Sequence, residues 1–152
     1  MCLPLADLGG LRAAVPARRL RTIRRAGAGQ TELAIPLWLE IVPGASRAAV
    51  VETLVADIVK HGFHVTTGII GTRAIYEALA KNGRMDVALK MLSQTDFPSY
   101  GYMVSNADEP ATTLWEKWGA SQLQTDQADA SRNHVSPSCA QIAAVCSQCA
   151  PC

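Results

Sequence analysis

Residues 72–94, TRAIYEALAKNGRMDVALKMLSQ, read as two short helices joined by a tight turn, and that reading decides the fold class. Ile75 and Leu79 stand one helical turn apart, and Val87, Ala88, Met91 and Leu92 repeat the three-and-four spacing that gathers apolar side chains on one helix face. Asn82 and Gly83 separate the two runs. Glycine enters the left-handed backbone region without a Cβ penalty, so this pair terminates the first helix and turns the chain into the second.

Working outward toward the N-terminus, Val51, Leu54, Val55, Ile58 and Val59 form a stripe of the same kind, with Ser46 available as a cap and Gly62 as a stop. Lys60 and His61 suit the negative end of that helix, and His61 needs no further role. Before it, TELAIPLWLEIVPG spaces Leu33, Leu37 and Ile41 evenly, with Pro36 bending the helix and Pro43 and Gly44 closing it; Trp38 reads as core. FHVTTGIIGT, residues 63–72, reads as a glycine-bounded loop between helices. Only YGYMV, residues 100–104, alternates as a short strand would. The expectation is an all-α array of helical hairpins.

Beyond Gln94 the texture changes. QTDFPSYGYMVSNADEPATTLWEKW, residues 94–118, combines Phe97, Tyr100, Tyr102, Trp115 and Trp118 with proline, glycine and asparagine, and sets Glu116 beside the two tryptophans. Rings cover the C–H faces of a sugar, and a carboxylate among them can take a proton from water. The same mixture also suits a compact loop closed over a helical core by its own aromatics.

A chain of 152 residues with 49% hydrophobic content holds one domain with a real core, and a net charge of +1 gives no global pull toward nucleic acid or anionic membrane. No window approaches the run of about 20 apolar residues that spans a bilayer, and a soluble chain is expected. Residues 1–29 form an arginine-rich leader (Arg12, Arg18, Arg19, Arg21, Arg24, Arg25) with Asp7 as its one acid; a disordered leader is expected, with a resemblance to an organellar transit segment as the alternative. Residues 135–152 form a cysteine-rich tail. There Cys146, Cys149 and Cys152 have a spacing open to zinc or an iron–sulfur cluster, but no flanking turn chemistry accompanies them or Cys139, and neither metal nor cofactor is expected.

Five segments taken in order are similar to the bacterial-type α-L-rhamnosidases: QTELAIPLWLEIVPG (30–44), HVTTGIIGT (64–72), NGRMDVALKMLSQTDFPSYGYM (82–103), EPATTLWEKW (109–118) and SRNH (131–134). The resemblance covers residues 30–134 and implies part of an (α/α)6 toroid of six helical hairpins, with the last third of the catalytic domain as the matching portion. It implies inverting hydrolysis of terminal α-L-rhamnose, in which one carboxylic acid protonates the leaving oxygen and a second carboxylate, about 6.5–9.5 Å away, activates water.

Carried over by motif, Glu116 of T-L-W-E-x-W is the general base. Trp115 and Trp118 frame it, His134 contacts a sugar hydroxyl, and His64 and Thr67 of HVTTG line the same mouth. Tyr100 stands where the family commonly has tryptophan. The general acid falls in the family's earlier hairpins and has no counterpart in residues 1–29, so the isolated chain is expected to be inactive. Its implied partners are rhamnose-containing glycosides and the missing hairpins. The alternative is a non-catalytic carbohydrate-binding or interaction remnant of the same domain.

Overall fold

The computed structural model describes residues 28–107, 109–119 and 131–133, apart from the side chain of Ile69. The expectations for the arginine-rich leader, the cysteine-rich tail and His134 fall outside the described residues. Among the described residues five helices follow one another: α1 (Gln30–Trp38), α2 (Gly44–Lys60), α3 (Ile69–Lys81), α4 (Met85–Leu92) and α5 (Tyr100–Ser105). No strand occurs among the described residues, and the fold is all-α, a partial (α/α)6 array of hairpins.

Helix α1 lies at the centre, packed on α3 and α2, while α4 folds back on α3. Its first turn is closed by Gly29 N–H donating to the Glu32 carboxylate at 3.3 Å, which satisfies one of the donors every helix start leaves open. Pro36 has no N–H to give, and the helix ends soon after it with Ile41 N–H bonding to the Pro36 carbonyl at 3.2 Å. Glu40, at φ 56°, then turns the chain out of helical register. Ile41, expected in the core, is therefore exposed, and Val42 is buried in its place.

Three other expectations are corrected. Helix α2 starts at Gly44 after Pro43, so Ser46 sits inside the first turn and caps nothing; Val50 joins the buried stripe and Val59 faces out. Helix α3 begins at Ile69, so IIG belongs to the helix rather than to the loop before it. A Cβ on Gly71 would lie 2.6 Å from Thr31 Oγ1 and 2.8 Å from the Thr67 Cβ, so the missing side chain is what lets α3 close on α1. The YGYMV run is helical, not extended. Ser99 Oγ caps α5 by accepting from Tyr102 N–H at 3.0 Å, and Gly101, whose Cβ would meet the Gln94 carbonyl at 2.3 Å, lets α5 rest on the end of α4.

The core runs through Leu33, Leu37, Leu54, Ile58, Ile75 and Leu79, all at most 1% exposed. Tyr76 is its largest buried ring. Burial pushes its hydroxyl pKa upward, with the neighbouring Tyr100 adding to the shift, and the group stays neutral. Among the described residues no helix is long and apolar enough to cross a membrane.

Candidate functional site

The loop that carries Glu116 is built from the end of α5. Asn106 is 8% exposed, and its side chain bonds in both directions. Nδ2 donates to the carbonyls of Tyr102, Met103 and Glu109 at 3.2, 3.0 and 3.0 Å, while Oδ1 accepts from Glu109 N–H at 2.8 Å. Ala111 N–H donates to the Met103 carbonyl at 2.7 Å. One amide side chain thus closes the helix end and folds residues 109–111 back over it. Trp115 follows as the anchor, 3% exposed against Met103.

Beyond that anchor the chain borders an open cleft of about 620 Å³. Thr31 of α1, Gly68, Ile70 and Gly71 at the start of α3, Phe97, and residues 116–119 line it. Trp118 forms part of the wall and is held from behind. Its indole N–H donates to the Thr67 carbonyl at 3.0 Å, and Tyr100 meets its ring edge-on with centroids 4.9 Å apart. Tyr100 in turn contacts Tyr76 at 6.4 Å, so a line of rings links core to cleft.

The Thr67 carbonyl is placed by Gln30, which is 1% exposed. Gln30 Nε2 donates to the His64 carbonyl at 3.0 Å and its Oε1 accepts from Thr66 N–H at 2.9 Å, pinning the loop to the first turn of α1.

Glu116 is half-buried, and residues 131–133 run beside it. Its N–H donates to the Ser131 carbonyl at 2.8 Å, and its Oε2 accepts from Ser131 N–H at 2.9 Å. Thr113 Oγ1 donates to the Arg132 carbonyl, and Arg132 pairs with Glu109. Glu109 is thus half of a partly exposed ion pair.

Of the residues singled out in the sequence, Glu116 and Trp118 meet in the cleft. Trp115 lies beneath the loop rather than on the cleft wall, and Tyr100 stands behind Trp118. Thr67 is 3% exposed and works through its carbonyl and a 2.9 Å hydroxyl contact with Thr72. His64 is turned elsewhere, with Nε2 3.0 Å from Asp96 Oδ1 and Nδ1 3.2 Å from the His61 carbonyl. The hydrogen bond with His64 holds the Asp96 carboxyl below the usual carboxylate range.

Sequence reasoning missed Gln30, Asn106 and the wall residue Ile70, whereas Phe97 of the aromatic stretch does line the cleft. The long-range bonds of Gln30 leave no periodic signal, whereas those of Asn106 are local, to residues three and four positions away, and an asparagine beside a proline-containing turn could have drawn attention, as could the exposed Ile70. No group of three or more His, Cys, Asp or Glu side chains gathers to hold a metal among the described residues.

The helical hairpin array is that of the all-α six-hairpin glycosidase domains, and a carboxylate and a tryptophan share its open cleft. Residues 16–149 match the model of the bacterial alpha-L-rhamnosidase 6 hairpin glycosidase domain, and the chain belongs to that family. It is 38% identical over 96 residues to an alpha-L-rhamnosidase of Streptomyces avermitilis, covering 63% of this chain and 9% of the relative. It is 40% identical over 78 residues to one from Formosa agariphila, covering 51% and 8%. The alpha-L-rhamnosidase structure from Dictyoglumus thermophilum superposes with a TM-score of 0.65 at 36% identity, over 80% of this chain and 13% of that one. The S. avermitilis enzyme complexed with L-rhamnose gives 0.64 at 32%, over 76% and 11%. The chain therefore spans about a tenth of the length of these relatives.

Proposed function

We propose that residues 30–134 are the base-side portion of an inverting α-L-rhamnosidase catalytic domain, drawn from its last hairpins, with 1–29 as a leader and 135–152 as a tail. The observation that carries the reading is the meeting of Glu116 with Trp118 in one open cleft, in a chain of this family. Glu116 takes the proton of the attacking water while Trp118 covers an apolar face of the terminal rhamnose. Trp115 and Tyr100 support that pair from beneath and behind. Thr67 holds Trp118, His64 keeps its loop at the rim, and His134 reaches a sugar hydroxyl. The general acid that protonates the leaving oxygen comes from earlier hairpins of the domain, so these residues alone do not turn over substrate. The substrates are rhamnose-containing glycosides, and no cofactor takes part.

Fusing residues 30–134 to the earlier hairpins of a related rhamnosidase tests this. Hydrolysis of an aryl α-L-rhamnoside with release of the β-anomer is the expected result. An inactive fusion that binds L-rhamnose would replace the hydrolytic reading with a carbohydrate-binding one, and loss of both would overturn each.

A further inference from the structure

The four contacts between residues 131–132 and 109–116 form a strap that is tied at both ends. At one end Glu116 and Ser131 exchange hydrogen bonds, N–H to carbonyl at 2.8 Å and amide to Oε2 at 2.9 Å. At the other, Arg132 Nη1 binds Glu109 Oε1, and Glu109 is itself fixed through its backbone by Asn106. Thr113 Oγ1 on the Arg132 carbonyl ties the middle. We propose that the Arg132–Glu109 ion pair is a positioning device: it keeps the Ser131 amide on Glu116 Oε2, so that this carboxylate has one orientation and Oε1 is the oxygen that takes the proton. The catalytic consequence rests on Glu116 being the water-activating base. A carboxylate rotates about a broad terminal torsion, so an amide fixed on one oxygen is what selects a single facing.

The test uses the full 152-residue chain, isotopically labelled, with the Ser131 amide proton followed through an acid titration. An amide bonded to a carboxylate shifts when that carboxylate protonates, so a large displacement is expected in the wild type and none in Glu116→Gln. Arg132→Gln should shrink the displacement and speed Ser131 amide exchange by about two- to fivefold, the range of a half-exposed ion pair, while the Trp118 indole proton is unchanged. The charge-swapped double variant Glu109→Arg with Arg132→Glu should restore both. A Ser131 displacement in Arg132→Gln equal to wild type, or a swap that restores neither readout, overturns the proposal. No sugar enters the measurement, so an inactive fusion leaves this result standing, and an indifferent Ser131 fails here without touching the sugar reading.

Discussion

Gln30 shows how much of the site rests on one buried amide. Its two bonds satisfy the His64 carbonyl and the Thr66 N–H, neither of which has a helical partner. Gln30→Ala removes both bonds and the buried side chain that made them, while the half-buried His64 carbonyl and the Thr66 N–H on the exposed Thr66 keep partial access to water, for a combined cost of about 1–3 kcal/mol. Chemical denaturation should record that loss, and Trp118 fluorescence should shift as the Thr67 carbonyl loses its fixed place. Asp96 carries the pH dependence at this scale. Its carboxyl is lowered in the fold by the His64 hydrogen bond, so the contact's stabilising contribution is present at and above the ordinary carboxylate range and is lost as pH falls through the lowered value. Asp96→Asn should flatten the acid-side response of the His64 ring resonances, and an unchanged response would show that Asp96 is not their partner.

Among the elements, α2, α3 and α4 were legible because apolar spacing, a Gly stop and short connections agree, as in Val51, Leu54 and Ile58 or Val87, Ala88 and Met91. Boundaries were less legible, for physical reasons. Ile41 and Val59 continue the period in sequence, but Pro36 and Glu40 end the first helix early, and among the described residues Val59 stays half exposed on the outer side of the last turn of α2. YGYMV mimics a strand because its rings alternate, yet Ser99 caps it and Gly101 lets it pack as a helix. In the site, Glu116 and Trp118 were readable from their motif, whereas Gln30 and Ser131 act through bonds that only the folded chain brings together. Gly71 gives the test for this scale. Gly71→Ala pushes a methyl into Thr31 and Thr67 and should destabilise by about 1–3 kcal/mol, whereas Gly44→Ala, with open space around its Cβ, should leave the melting temperature nearly unchanged.

At the scale of the molecule, the described surface keeps Leu39, Ile41, Val59, Leu89 and Val104 exposed, apart from the cleft residues Ile70 and Phe97. In a complete six-hairpin ring, neighbouring hairpins would offer partners for such faces. The chain by itself is therefore expected to self-associate as its concentration rises, which sedimentation velocity would reveal as a growing weight-average mass. A monodisperse monomer at high concentration would count against the partial-ring reading.

In the proposed reaction Glu116, rather than Glu109, activates water. Glu109 already spends its carboxylate on Arg132, while Glu116 presents to a cleft walled by Trp118. In the fusion carrying the earlier hairpins, Glu116→Gln keeps size and hydrogen bonding but removes the base, and kcat on an aryl α-L-rhamnoside should fall by about 10²–10⁴-fold. Glu109→Gln should cost only a few-fold, through the loosened strap. Abolished turnover in Glu109→Gln, with Glu116→Gln within a few-fold of the unsubstituted fusion, would contradict the assignment of Glu116 as the base.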